Sequence, residues 1–288
     1  MREISPKQIS EAVEKLCLKI NFNLPKDVIK AIQAAEKKEK NPLSQAVLGE
    51  VIENCQIAAK DEIPLCQDTG LVIVFAEVGE DVHVAGNTTT RLEKAIQSGV
   101  KAAYEKGYLR KSTVTDPFDR KNSNDNLPAV IHYSVVAGNQ LTLKILVKGG
   151  GAENTSRIKM LLPTATEEDA IAFVVDTVKQ AGAKACPPLV IGVGVGGNFE
   201  KSALMAKEAL FRKIGSKPDS STSSTVKIAA LEKKILKAVN QTKIGPMGLG
   251  GETTALAVFV KMAPCHIASL PVAVNIECHS HRHGEIIL

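Results

Sequence analysis

Gly70-Leu71-Val72-Ile73-Val74-Phe75-Ala76-Glu77-Val78-Gly79 is the stretch on which the fold turns. An apolar run this short, closed by glycine at both ends, reads as a buried strand. The first sixty residues read as helical. Ser5-Pro6 puts a capping residue ahead of a proline at the first helical position. Ile9, Ala12, Val13, Leu16, Cys17 and Ile20 then recur at helical spacing. Pro25 opens a second helix with Val28, Ile29 and Ile32 inward, and a third carries Val47, Leu48, Val51, Ile52 and Cys55.

Beyond that strand the pattern is mixed. Residues 88–106 predict a helix. The runs 129–136 and 141–148 flank Ala137-Gly138-Asn139-Gln140 and predict a β-hairpin, with Leu141, Leu143, Ile145 and Val147 on one face of its second strand. Thr166 and Asp169 have the spacing of a capping box that opens a helix to residue 181. Residues 189–195, 255–261 and 271–276 read as strands, and 200–214 and 225–240 as helices. The Ser/Thr-rich segment 215–225 reads as a surface loop. No internal repeat and no regular βαβ rhythm is present. The expectation is one α+β domain over residues 1–288, a helical N-terminal layer packed on small mixed or antiparallel β-sheets.

Composition narrows the function. In 288 residues, 36 Lys+Arg against 31 Asp+Glu leave a net +5, too small an excess for a dedicated nucleic-acid binder. With 44% hydrophobic and 23% charged residues, the chain buries enough apolar surface to offset its ordering entropy. No apolar run is long enough for a membrane span. Met1-Arg2-Glu3-Ile4-Ser5 lacks the apolar core of a secretory signal, so a cytoplasmic location is expected. Structural disulfides are not expected there, which leaves the six cysteines as core thiols, metal ligands or nucleophiles.

Those cysteines divide by context. Cys17 and Cys55 fall on apolar helix faces and read as small core residues. Cys66, Cys186 and Cys278 lie in loops or at strand ends beside polar or proline residues. They are far apart in sequence and form no local motif, so any shared site is assembled by the fold, and spacing alone favours three unrelated thiols. Gly192-Val193-Gly194-Val195-Gly196-Gly197 fits G-x-G-x-x-G between a strand and a helix. The second parallel strand with its acidic end is missing, so close backbone packing is the better reading. Cys265, His266, Cys278, His279, His281 and His283 suggest zinc, but their spacing fits no common finger. His281 and His283 read as a solvated tail. Gly149-Gly150-Gly151 is either an anion-binding nest or a tight turn.

Taken together, four segments resemble the class I fumarases: Pro64-Leu65-Cys66-Gln67-Asp68-Thr69-Gly70, Lys148-Gly149-Gly150-Gly151, Gly248-Leu249-Gly250-Gly251 and His266-Ile267-Ala268-Ser269-Leu270-Pro271-Val272-Ala273-Val274. More narrowly, they resemble the α subunit of the two-subunit fumarate hydratase and tartrate dehydratase group. The resemblance spans residues 5–282. It implies an Fe–S hydro-lyase α-type fold and a [4Fe–4S] cluster held by Cys66, Cys186 and Cys278, with one iron left open as a Lewis acid. Cys265 is not at the matching position and is expected to be a non-ligand.

The implied reaction is hydration of fumarate to (S)-malate, with dehydration of L-tartrate as the alternative. The resemblance assigns Asp68 and His266 as catalytic, and Gln67, Arg110, Gly149 and Gly150 as substrate-binding. Asp68 could instead orient Arg110 or His266, and His266 could be a satisfied strand-end histidine. The remaining substrate-binding cations and the base, a threonine, are expected on a separate β subunit, in an α2β2 assembly acting on a small dicarboxylate, without nucleic acid or membrane. Competing readings are a nucleotide-binding or zinc-stabilised module, and a non-catalytic scaffold subunit.

Overall fold

The Ser5 side chain accepts from the Gln8 amide, and the Gln8 side chain accepts from the Ser5 amide, closing a capping box at the start of the first helix. In this computed structural model, residues 2–86, 91–218 and 225–288 are described. The order begins β1 (Arg2–Ile4), α1 (Pro6–Phe22), α2 (Lys26–Lys38), α3 (Pro42–Asp61), β2 (Leu71–Gly79) and β3 (Val82–Val84). It continues with α4 (Arg91–Lys106), β4 (Val130–Val136), β5 (Leu141–Lys148), α5 (Gly150–Glu153), β6 (Arg157–Leu161) and α6 (Glu167–Ala181). Last come β7 (Leu189–Gly197), α7 (Phe199–Ala209), α8 (Thr225–Asn240), β8 (Ala255–Cys265), β9 (Leu270–Glu277) and β10 (Arg282–Ile287).

The α+β class is as expected, with small mixed sheets. Two compact units make up the chain. The first comprises Met1–Pro25, Asn54–Gly150 and Arg282–Leu288, and the second Lys26–Glu53 and Gly151–His281. No helix among the described residues is long and apolar enough to cross a membrane.

In the first unit, α1 and α4 pack together, and the apolar stripe of α1 joins β2, β5 and α4 in one core. The sheet order is β10-β5-β2-β4. This overturns the expected hairpin. β4 and β5 do not pair with each other, because β2 lies between them, parallel to β4 and antiparallel to β5. The physical reason is burial. Val72, Ile73, Val74, Phe75 and Ala76 are all buried, and a strand covered on both faces belongs inside a sheet rather than at its edge. The 137–140 connection instead crosses the end of β2. Gly79 donates to Gln140 O (2.9 Å) and Asp81 to Gly138 O (3.0 Å). A Cβ on Gly79 would meet Gly138 O at 2.5 Å, so the crossing needs glycine there.

The second unit is built on the sheet β6-β9-β7-β8, with β8 parallel and β9 antiparallel to β7. The glycines of the G-x-G-x-x-G run serve packing, as the sequence suggested. A Cβ on Gly192 would meet Ala206 O at 2.0 Å, and one on Gly194 would meet Ser202 O at 2.0 Å. The backbone of α7 therefore lies directly on β7. Helices α6 and α8 complete the core with Phe173, Val174, Val178, Leu231 and Ile235. The Thr166–Asp169 capping box is present at the start of α6.

Three local expectations change. The helix expected over 200–214 ends at Ala209. The helix expected over 88–106 is described from Arg91, and residues 88–90 lie outside the described residues, as do 219–224 of the expected loop. The tail expected at His281 and His283 is not solvated. His281, Arg282 and His283 are buried, and the last two lie in β10 where it pairs with β5.

Gly194→Ala tests the packing of α7 on β7. Backbone atoms stand in the way and have no rotamer to escape to. A loss of about 3 kcal/mol in urea unfolding is expected, toward the upper end for overpacked interiors.

Candidate active site

In the first unit the site grows from the loop between α3 and β2. Leu65 is held on both sides of its peptide: its N–H donates to Asn21 O (2.9 Å), and its carbonyl accepts from Asn54 Nδ2 (2.9 Å). The chain then turns through Cys66, Gln67 and Asp68. The Asp68 amide donates to Cys66 Sγ (3.4 Å), and the Cys66 thiol donates to Gln67 Oε1 (3.3 Å). The Asp68 carboxylate accepts from two backbone amides, Gly70 through Oδ1 (2.9 Å) and Gly150 through Oδ2 (2.7 Å). Gly70 takes φ +64°, and a Cβ there would stand 2.4 Å from Lys148 O, so only glycine lets the loop lie against the end of β5.

The same loop gathers Arg110. Thr69 Oγ1 donates to Arg110 O (2.8 Å), which fixes the backbone from which that exposed side chain projects. Buried Asn126 reinforces the link: its Nδ2 donates to Gly70 O (3.2 Å) while its Oδ1 accepts from the Ser112 amide (2.7 Å). The structure thus brings together Cys66, Gln67, Asp68, Arg110, Gly149 and Gly150. The Gly150 amide, expected to serve substrate, donates to Asp68 here. The partners of the Asp68 carboxylate are backbone amides, not Arg110 or His266. Asn21, Asn126 and Arg282 were missed in the sequence, because isolated polar residues in loops and helix ends carry no pattern.

In the second unit, His279 ties the Cys278 segment to Cys186. Cys186 sits in the left-handed region (φ +51°) directly before Pro187. Its carbonyl accepts from the His279 amide (3.3 Å) and from the His279 ring through Nδ1 (3.0 Å). Cys278 donates its amide to Glu277 Oε1 (3.2 Å). The Gly248-Leu249-Gly250-Gly251 segment packs nearby as structure. Met247 donates to Pro187 O (2.8 Å). Glu39 clamps the far end of the segment, accepting from the amides of Lys40 (2.9 Å), Asn41 (3.1 Å) and Glu252 (2.8 Å). Burial pushes the Glu39 carboxyl up, but these donors outweigh it and leave its pKa below the usual glutamate value.

His266 lies elsewhere in this unit. It is exposed in the turn between β8 and β9, and its Nδ1 accepts from the Ala268 amide (3.1 Å). The register pairs Val190 with Glu277 at one end of β7, and Gly197 with Cys265 at the other. Cys186 and Cys278 therefore flank the first end of β7, and Cys265 and His266 the second. At a strand rise of ~3.3 Å per residue, the length of β9 separates them by roughly 23 Å.

The thiols differ in chemistry as well as place. Burial pushes Cys17 up to about 12 and Cys55 up to about 11, so neither offers a thiolate near neutral pH. Cys66, Cys186 and Cys278 are half-buried, and Cys265 is exposed. Among the described residues, no three His, Cys, Asp or Glu side chains converge on a single metal ion.

The family model described as fumarate hydratase (Fumerase) matches residues 10–287. The putative L(+)-tartrate dehydratase subunit alpha of Methanocaldococcus jannaschii is 39% identical over 282 residues, 96% of each chain. The L(+)-tartrate dehydratase subunit alpha of Escherichia coli is 28% identical over 285 residues, 98% of this chain and 91% of that one. The protein of the same name from Shigella sonnei is 27% identical over the same length.

Two outcomes test this geometry. With iodoacetamide at mildly alkaline pH, mass spectrometry of the folded chain is expected to find Cys17 and Cys55 unmodified after Cys66, Cys186, Cys265 and Cys278 have reacted. The Glu39 clamp should stabilise the wild type over Glu39→Gln above the unfolded glutamate pKa of about 4.3. Because the folded value lies lower, that advantage should vanish as pH falls through it, read as converging melting temperatures.

Proposed function

The chain belongs to the fumarate hydratase (Fumerase) family, and on that footing we propose that it is the α subunit of an iron–sulfur hydro-lyase acting on a small dicarboxylate. The observation that carries the reading is the first-unit loop. It sets a half-buried thiol, Cys66, beside a carboxylate locked by two backbone amides, with Arg110 anchored alongside. We assign fumarate hydration to (S)-malate as the reaction. Dehydration of L-tartrate to oxaloacetate is the second reading, favoured by the names of the relatives.

Three thiols from Cys66, Cys186 and Cys278 suit a [4Fe–4S] cluster, and the inert Cys17 and Cys55 do not compete for it. When bound, a cluster with one iron free of protein ligands supplies Lewis acidity toward a substrate hydroxyl. The chain's own residues do the rest. Removing a C–H proton next to a carboxylate leaves negative charge on carbon, which needs cations and N–H donors around it. Arg110 takes a substrate carboxylate, its backbone already held by Thr69. Gln67 and the Gly149 amide hydrogen-bond the substrate, the Gly150 amide being taken by Asp68. Asp68 faces it as an acid–base group, oriented in advance by the Gly70 and Gly150 amides.

His266 keeps a catalytic role in this reading only by reaching the substrate held by another copy. Its own sheet separates it from Cys186 and Cys278 by the full length of β9. That requirement agrees with an assembly containing at least two α chains, and α2β2 is the arrangement proposed. A β subunit supplies the remaining cations and the threonine base. Residues 1–288 act as one hydro-lyase α module in that assembly.

Anaerobic co-purification with the β subunit and assays on fumarate and L-tartrate test this. The complex is expected to be brown, with stoichiometric iron and sulfide. Cys66→Ser, Cys186→Ser and Cys278→Ser should each lose the visible absorption, and Cys265→Ser should keep it. Asp68→Asn is expected to lower kcat ~100-fold or more, as for loss of an acid–base group. A colourless, metal-free complex would overturn the cofactor assignment. Full turnover by the isolated chain would overturn the need for a partner.

A further inference from the structure

Arg282 opens β10 opposite Val147 of β5, and at 1% exposure it is the bulkiest of the fully buried side chains. A guanidinium is an expensive way to fill buried space, because an apolar side chain of similar volume avoids its desolvation. The hydrogen bonds show what the group holds. Nη2 donates to Asp68 O (2.8 Å), and Nη1 to Asn21 Oδ1 (3.2 Å), while Nε has no hydrogen-bond partner among the described residues. Both acceptors are neutral. Asn21, itself fully buried, also takes the Leu65 amide on its backbone carbonyl. The two ends of the Leu65–Asp68 turn are therefore tied to one guanidinium, directly at Asp68 and through Asn21 at Leu65. A Cβ on Gly149 would lie 3.3 Å from Asp68 Oδ2 and 3.8 Å from Arg282 Nη2, so the carboxylate and the guanidinium border the same small volume.

We infer that Arg282 is a positioning residue, whose planar fork sets the Asp68 peptide and so aims the Asp68 carboxylate and the Cys66 thiol. The inference rests on the hydro-lyase reading, since that reading turns Asp68 toward substrate. Lysine keeps the charge but loses the fork that reaches Asn21 and Asp68 together. Methionine keeps most of the volume and loses both.

Hydrogen–deuterium exchange on the full chain, with steady-state kinetics in the complex with the β subunit, tests the inference on Arg282→Met and Arg282→Lys. Arg282→Met is expected to stay folded, with exchange in the 65–70 peptide ~10-fold faster, exchange in α4 unchanged, and kcat reduced ~10- to 100-fold at nearly constant KM, the size expected for a small misplacement of a reacting group. Arg282→Lys should fall between this variant and the wild type in both readings. A rise in exchange shared equally by α4, or an unchanged kcat, would overturn the inference and leave Arg282 a packing residue. Should Arg282→Met not fold, Arg282→Lys carries the test, and wild-type local exchange and kcat in it overturn the inference. Failure of both variants to fold assigns Arg282 to stability alone and also overturns it. A wild-type complex that turns over neither fumarate nor L-tartrate would sink the hydro-lyase reading, while local exchange would still decide whether Arg282 sets the Asp68 peptide.

Discussion

One carboxylate accepting two backbone amides governs the first-unit site. Asp68 takes the Gly70 and Gly150 N–H groups on its separate oxygens, which joins the loop before β2 to the end of β5. Charge-assisted bonds of this kind are among the stronger ones available to a side chain. That bridge ties the loop carrying Cys66 to the end of β5. Gly70 takes the left-handed region where it offers its amide, a Cβ on Gly149 would stand a tight 3.3 Å from the carboxylate, and Thr69 donates to the Arg110 carbonyl. A mutation at Gly70 would therefore act on the acid without touching it, whereas a side chain at Gly149 would press on the carboxylate itself.

Much of the fold is legible in the sequence where a single element carries its own signal. The capping boxes at Ser5 and Thr166 mark the starts of α1 and α6, and the apolar period of α1 names its buried face residue by residue. The runs that became β2, β5, β7, β8 and β9 were visible as apolar segments. What could not be read is pairing. Nothing local says that β2 enters between β4 and β5, because that order is decided by which strand can bury both faces. β10 was missed for a related reason. His281 and His283 look solvated in sequence, and the burial of Arg282 between them depends on partners such as Asn21 and the Asp68 carbonyl, far away along the chain.

The candidate site divides in the same way. Helical spacing separated Cys17 and Cys55 from the other thiols, and burial then gave the chemical reason: those thiols are held well above their ordinary pKa. Cys66, Gln67, Asp68 and Arg110 belong to the first unit, and Cys186, Cys278 and His266 to the second. Within the second unit, strand register determines which residues can cooperate. It joins Cys186 to Cys278 through His279 and sends His266 to the far end of β7. The sheet thus sets Cys186 and Cys278 at one end of β7 and His266 at the other.

The crossing of the 137–140 connection over β2 has a consequence for how the chain acquires its structure. β4 and β5 are neighbours in sequence, and a hairpin between them would close a very short loop. The native order instead requires β2, from far upstream, to be captured between them before the ladder is complete. The first unit also draws its last strand, β10, from the C-terminal end. Such a sheet has high contact order, and its assembly is slow compared with the helices that cover it. A local hairpin is the alternative register to this order, and the glycine at position 79 admits the Gly138 carbonyl that the native crossing brings there.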